Sequence, residues 1–61
     1  MQELSGKRVL YRGRIFKIQS VFKLGRKYSV LGFWEVDGKI PKNSHVDHLT
    51  VLSLDEMKLL D

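Results

Sequence analysis

Four polar residues in one short segment, Ser44, His45, Asp47 and His48, have the side-chain types that covalent or metal chemistry requires. Serine, histidine and aspartate form nucleophilic triads, but near neighbours in one turn cannot orient a base against a buried third group. A zinc site needs three or four well-placed donors, usually with cysteine, and this chain has no cysteine. We therefore expect a capped turn with solvated imidazoles. We expect no catalytic residue, no metal ligand and no cofactor, and hence no enzyme.

The basic residues have the chemistry to bind a polyanion. Residues 1–30 carry a net charge of +7 and residues 31–61 a net charge of −3, and no acidic residue lies between Lys7 and Lys27. Outward lysines on alternating strands need no function individually, but an unneutralised group of cations favours contact with phosphates. Lys17 and Lys23 are predicted to share one face of a strand with Gln19 between them. The amide of Gln19 is then placed to contact sugar or base edges.

Adjacent aromatic residues, Phe33 and Trp34, add a second chemistry. Neighbouring residues of a strand point to opposite faces, so one of the two rings faces the core and the other does not. A loop, the C-terminal segment or a homodimer contact could cover the outer ring. Alternatively, that ring stacks on a base beside the cations, where Gly32 allows a ligand or backbone to approach. The predicted nucleic-acid-binding residues are Lys7, Arg8, Arg12, Arg14, Lys17, Gln19, Lys23, Arg26, Lys27, Phe33 and Trp34.

Length and composition limit the elements that position these side chains. Sixty-one residues predict one domain, 1–61, stabilised by one small apolar core without disulfides. The apolar runs are far shorter than the ~20 residues that span a bilayer, and the first residues lack the apolar stretch of a signal peptide. We therefore expect a cytoplasmic protein that binds neither membrane nor a small-molecule substrate.

Apolar residues alternate along most of the chain, which indicates strands. Strands are predicted over 7–12, 14–24 and 28–36, and a final short strand over 49–53. In the second strand Phe16, Ile18, Phe22 and Leu24 are predicted to share a face, with a bulge where Ser20 and Val21 interrupt the alternation. Reversals are predicted at 12–14 and 24–27. Asp37-Gly38 predicts a type I′ hairpin into a short strand at Lys39 and Ile40, which ends at Pro41.

The end of the chain has helix signals. The segment 41–48 predicts a tight turn or one 3₁₀ turn. Ser53 and Glu56 form a capping-box pattern, flanked by Leu52 and Met57 at the hydrophobic-staple positions. We therefore expect a short helix over 53–61, with Met57 and Leu60 packed on the barrel.

The stretch "FWEVDGKIPKNSHVDHL" resembles the closing half of an SH3-type domain, in which a Trp-bearing strand, a hairpin and a 3₁₀ turn precede the last strand. The opening "GKRVLYRGRIFKI" is similar to the first hairpin of KOW and Tudor-like members of that superfold. The layout also resembles that of small archaeal chromatin proteins. The resemblance covers residues 6–52 and implies an all-β fold, a five-stranded SH3-like barrel followed by a short C-terminal helical turn over 53–61. The "A-L-Y-D-Y" strand and acidic loop of peptide-binding SH3 domains are missing, which argues against proline-peptide recognition.

Two classes of function follow. The first is a small basic module that binds DNA or RNA through the first hairpin and an exposed aromatic. The second is a protein-interaction module or regulatory subunit, with a protein partner or a second copy meeting Leu31, Phe33 and the "VDHLTVL" edge.

Overall fold

The computed structural model describes residues 4–60, and this part of the chain is an all-β fold with five antiparallel strands. The strands are β1 (Arg8–Tyr11), β2 (Arg14–Leu24), β3 (Lys27–Trp34), β4 (Asp47–Val51) and β5 (Lys58–Leu59). They form one sheet in the order β4-β3-β2-β1-β5. The edge strands β4 and β5 do not pair with each other, so the sheet is open where a barrel was predicted. Within residues 4–60, no helix is long and apolar enough to cross a membrane.

Two hairpin turns lie where the sequence predicts reversals, and Asp37-Gly38 also has the predicted conformation. Asp37 and Gly38 have φ of 52° and 80°, and the Val36 and Lys39 backbones exchange hydrogen bonds of 2.7 and 3.1 Å. Two successive left-handed residues are the signature of a type I′ turn. Arg12 and Gly13 adopt the same conformation, with φ of 50° and 80°, between β1 and β2.

A β-bulge in β2 changes which residues face the core. The pairing of β2 with β3 shifts by one residue between Ile18 and Ser20, next to the predicted position. The shift turns Val21 toward the core, whereas Phe22 and Leu24 are 51% and 66% exposed. The prediction that Phe22 and Leu24 share the face of Phe16 and Ile18 is therefore wrong, because the extra residue inverts the alternation beyond it.

The same inversion separates the two lysines of β2. Lys17 lies opposite Phe33, whereas Lys23 lies opposite Tyr28. Because Phe33 and Tyr28 are five residues apart on β3, they point to opposite faces of the sheet. The predicted shared face of Lys17 and Lys23 is not formed.

The core lies on one face of the sheet, which we call the inner face; the opposite face is the outer face. The buried apolar residues are Leu4, Val9, Phe16, Ile18, Val30, Val51 and Met57. Gly32 makes this packing possible, since a Cβ there would lie 2.1 Å from the Lys17 carbonyl oxygen and 2.8 Å from the Phe16 ring. The close approach that Gly32 permits is thus to the chain's own backbone.

The C-terminal segment differs from the predicted helix over 53–61. A 3₁₀ turn covers Leu54–Glu56, and the chain is extended again at Met57 before β5 pairs with β1. The capping box is confirmed: Ser53 Oγ accepts from the Asp55 N–H (3.2 Å), and Glu56 Oε2 accepts from the Ser53 N–H (3.1 Å). Asp61, the last residue of the predicted helix, lies outside the described residues.

The apolar residues beside this turn are divided between core and solvent. Met57 is buried as predicted, whereas Leu60 is 42% exposed. Leu52 is 67% exposed, so it does not form the expected staple with Met57. One 3₁₀ turn is too short to hold an apolar stripe, and the segment is fixed instead by Met57 and strand pairing.

Candidate functional site

The structure divides the predicted binding residues among several places. Arg12, Arg14 and Trp34 lie at the β1–β2 turn, Lys23, Arg26 and Lys27 lie at the β2–β3 turn, Arg8, Lys17, Gln19 and Phe33 lie on the outer face, and Lys7 precedes β1. The two turns are the two ends of β2, whose eleven residues extend about 3.3 Å each. The basic residues therefore line the length of the molecule and do not form one compact patch.

Arg8 belongs to an ion pair. Its Nε and Nη2 donate to Glu35 Oε2 (2.8 Å) and Oε1 (3.0 Å), and the Glu35 side chain is only 6% exposed. A bidentate pair of this kind satisfies both carboxylate oxygens. The charge of Arg8 is thereby compensated within the fold.

Trp34 lies on the inner face, beside the core. Its ring meets Phe16 edge-on, with centroids 4.8 Å apart, and the Arg14 guanidinium lies 4.4 Å from the Trp34 ring centroid. The indole Nε1 donates to Asp47 Oδ2 at 2.6 Å. Because Arg14 lies over the Trp34 ring and Phe16 packs against it, Trp34 makes its contacts within the protein. One prediction had been that this ring offers a free surface for base stacking.

Asp47 is ionised in this arrangement. The hydrogen bond from Trp34 lowers the pKa of the Asp47 carboxyl, and the His48 backbone N–H, which donates to Oδ1 at 2.8 Å, lowers the pKa further. The charges of His48 and Arg14 act in the same direction. Asp47, one of the four polar residues first considered for covalent or metal chemistry, thus orients Trp34. Nothing in the spacing of the sequence indicates that contact.

Phe33 lies on the outer face, so it is the one of the two adjacent aromatic residues that points away from the core. Its half-buried ring lines an open depression of about 350 Å³ together with Lys17, Gln19, Ile40, Gly6 and Ile18. Lys17 is directly opposite Phe33 across the β2–β3 pair. Three predicted site residues, Lys17, Gln19 and Phe33, therefore meet in one place. Ile40 joins them through the Asp37-Gly38 hairpin, which the sequence predicted without that contact.

At the β2–β3 turn, cations accompany exposed apolar residues. The Lys23 ammonium lies 5.7 Å from the Tyr28 ring centroid, and Arg26 and Lys27 are exposed. Leu24 is directly opposite Lys27, and Phe22 precedes it on the outer face. Sequence reasoning missed Phe22 and Leu24 as surface residues because it continued the alternation through the bulge.

The histidine segment makes separate local contacts. His48 Nε2 is 2.5 Å from Ser29 Oγ, and the Ser44 N–H closes a turn on the Pro41 carbonyl at 3.0 Å. Between Leu4 and Leu60, no group of three or more His, Cys, Asp or Glu side chains is arranged to hold a metal ion.

Comparison with known proteins gives no match to a family model, to a curated protein or to a solved structure.

Proposed function

We propose that this protein is a non-enzymatic module that binds nucleic acid through the outer face of β2 and β3. The observation that carries the proposal is the solvent-open depression at Phe33, which is lined by the Phe33 ring, the Lys17 side chain and the Gln19 side chain. Aromatic side chains flanked by cations are the recurring means of holding single-stranded nucleic acid. An unpaired base is therefore the group that suits this depression.

Each side chain of the depression has a distinct part in this proposal. The Phe33 ring stacks on the base, and Ile40 extends the apolar surface beside it. Gln19 donates and accepts at the base edge, and Lys17 contacts the neighbouring phosphate. Duplex DNA keeps its bases stacked inside, so single-stranded DNA or RNA is the expected ligand.

The conformation of Arg12 supports a part for the β1–β2 turn. Arg12 has φ of 50°, a region where a non-glycine residue other than Asn or Asp costs about 1–2 kcal/mol. The second type I′ turn has Asp37 at the equivalent position, which fits the local preference. A strained, exposed arginine beside Arg14 is consistent with a residue selected for its charge.

Further cations lie at the β2–β3 turn, where Lys27 is on the outer face and Lys23 is on the inner face. Lys23, Arg26 and Lys27 are exposed. Within residues 4–60, the ion pair with a nitrogen–oxygen distance below 4 Å is that of Arg8 with Glu35. Uncompensated cations release counterions from a phosphate backbone, so the affinity of the complex falls as salt rises.

The proposal extends to the fold and its location. The strand order β4-β3-β2-β1-β5, with a 3₁₀ turn between β4 and β5, supports an SH3-like sheet of the kind that the sequence resembles. A basic module of this type that binds nucleic acid would act in the cytoplasm.

The test is a chemical-shift titration with short single-stranded DNA and RNA, with a duplex as a third ligand. Lys17→Glu is expected to weaken single-strand binding at least tenfold and to shift no core resonances. Lys42→Glu is the matched control, because it changes net charge equally at an exposed turn residue that does not line the depression. Its affinity should stay within about twofold of the parent.

Two results would count against the proposal. One is an absence of binding at low salt; the other is an equal loss of affinity for Lys17→Glu and Lys42→Glu, which would indicate only a non-specific response to net charge. Preference for the duplex would reject the part assigned to Phe33.

A protein-interaction surface is the second candidate. The exposed Phe22 and Leu24 continue along the outer face toward Leu31 and Phe33, because Leu31 lies diagonally across from Phe22 in the β2–β3 register. The titration above separates the candidates: a surface that binds a protein partner through these apolar residues would give no salt-dependent binding to oligonucleotides.

A further inference from the structure

The outer edge of β4 has an open side. In the described part of the chain, β4 pairs with β3 alone, and Asp47, His48 and Thr50 are exposed. An edge strand presents unpaired backbone groups, and natural edges are usually protected by lysine, proline or a bulge. β4 has neither lysine nor proline, its one charged side chain, Asp47, accepts a hydrogen bond from Trp34 of the same molecule, and its register with β3 is uninterrupted. This edge is therefore available for pairing with another strand.

The outer-face side chains along this edge have the same pattern in both directions. His48 and Thr50 lie on the outer face, opposite Leu31 and Ser29 of β3. Val46 and Leu52 are the residues that flank β4, and continued alternation would place both in the same row. The row is apolar, polar, polar, apolar. Val46 and Leu52 are 50% and 67% exposed, so both apolar ends lack cover within the described protein.

Antiparallel pairing of two such edges about Leu49 matches every position of the row. Val46 of one copy then lies opposite Leu52 of the other, and His48 lies opposite Thr50, with each pair occurring twice. Directly opposed side chains that pack together stabilise antiparallel strand pairs.

Charge also fits a second copy in this orientation. In the segment before β4, Glu35 is already paired with Arg8, which leaves Lys39 and Lys42 against Asp37. The sequence after β4 carries Asp55, Glu56 and Asp61 against Lys58. Antiparallel pairing runs the net basic segment of one copy beside the net acidic segment of the other, at both ends of the contact. Parallel pairing would place like charges together.

We propose that two copies of this chain associate through β4, antiparallel about Leu49, to form a two-fold symmetric dimer with one continuous sheet. The contact is isologous, so it consumes both β4 edges and closes the assembly at two copies. The remaining edge, β5, has two residues and offers little template for further growth. The residues that line the Phe33 depression do not belong to β4, so the dimer does not depend on nucleic-acid binding.

The first experiment is sedimentation of the full chain over a concentration series without nucleic acid. The expected result is a shift of the weight-average mass from one copy toward two as concentration rises. Val46→Lys or Leu52→Lys should abolish the shift, because either puts a lysine into an apolar pair. Both residues are exposed in the single copy, so circular dichroism should show an intact fold.

Leu24→Lys is the matched control, since Leu24 is equally exposed but lies at the β2–β3 turn. The Leu24→Lys protein should dimerise like the parent. A mass that stays at one copy throughout the series overturns the proposal. So does a dimer that survives Val46→Lys and Leu52→Lys, or one that Leu24→Lys removes.

A second experiment tests the register. The chain has no cysteine, so a mixture of His48→Cys and Thr50→Cys proteins should form a disulfide-linked heterodimer on oxidation. Each variant oxidised alone should crosslink far less, because the antiparallel register places each cysteine opposite the unmodified partner residue. Equal crosslinking of the mixture and of the single variants would overturn the two-fold arrangement about Leu49.

Discussion

Trp34 is fixed by three different interactions, and their combination explains why an aromatic at the margin of the core is ordered. Phe16 provides edge-on packing, Arg14 a cation over the ring, and Asp47 a hydrogen-bond acceptor for the indole. A partly exposed indole that finds a partner for its N–H avoids the cost of an unsatisfied donor. At the scale of single residues, this cluster joins the β1–β2 turn to the start of β4.

The contribution of Asp47 to stability should depend on pH. The folded-state pKa of Asp47 is lowered below its ordinary value, so its stabilisation is present above the unfolded-state pKa and is lost as pH falls through the folded-state pKa. We predict that Asp47→Asn lowers the melting temperature at neutral pH and that the difference from the parent vanishes in strong acid. The melting temperature over a pH series, with emission of the single tryptophan as the readout, measures this.

Asp37→Asn serves as the matched control, because it removes a carboxylate from an exposed turn at which asparagine keeps the same conformation. If Asp47→Asn differs from the parent by the same amount at every pH, the ionised carboxylate does not hold the indole in the way described.

The hairpin turns show how local sequence preference and observed structure can disagree within one small fold. Asp37-Gly38 is a favoured type I′ pair, whereas Arg12-Gly13 has the same backbone with a residue that disfavours positive φ. The Arg12 guanidinium lies 5.3 Å from the Tyr11 ring centroid. An exposed contact of this kind is worth about 0.5–1 kcal/mol and therefore offsets only part of the backbone strain.

Arg12→Asn should accordingly stabilise the protein while weakening its binding. Asparagine enters the left-handed region readily, so the free energy of unfolding should rise by roughly 0.5 kcal/mol after the loss of the Tyr11 contact. Urea unfolding measures this change, and titration with a single-stranded oligonucleotide measures the binding.

Arg26→Asn provides the comparison, because Arg26 is an exposed arginine of the β2–β3 turn whose φ is not positive. It should give no stabilisation. Unchanged stability of Arg12→Asn would mean that the turn carries no strain that asparagine relieves.

For the molecule as a whole, the long axis determines how an extended polyanion can bind. The extents are 33 × 20 × 19 Å, and the two basic turns stand at opposite ends of β2. A ligand that contacts both turns and the Phe33 depression must run along the long axis.

We predict that affinity for single strands rises with their length up to about ten nucleotides and then levels off. This number follows from 33 Å at roughly 3.4 Å per nucleotide of a stacked strand. Fluorescence anisotropy with labelled oligonucleotides of increasing length at fixed salt gives the curve. Saturation already at two or three nucleotides would restrict binding to the depression and exclude the turns.

The sequence predicted the strands well where alternation and turn chemistry agree. The bounds of β2 and the Asp37-Gly38 turn are confirmed because glycine position and apolar period point to the same answer. The faces beyond the bulge were not predictable from alternation, since one extra residue inverts every later side chain. The C-terminal helix was wrong beyond Glu56 because a capping box starts a turn but does not set its length, and β1 offered Lys58 and Leu59 a partner.

Sequence also located the candidate depression in part. Lys17, Gln19 and Phe33 can be selected from the sequence by residue type and charge. Lys17 and Gln19 are also two residues apart on β2, which predicts that they share a face. Their meeting with Ile40 depends on where the Asp37-Gly38 hairpin folds back, which is a tertiary contact.

Gly32 has a consequence for how this sequence can diverge. The space that a side chain would need there is occupied by the Lys17 carbonyl and the Phe16 ring. Backbone cannot yield to a larger residue, but a ring can be exchanged for a smaller group. Related chains should therefore retain glycine at this position, and any that replace it should show a coordinated reduction in volume at position 16 and a displaced second strand. The pair forms a covarying signature by which distant relatives of this chain can be recognised.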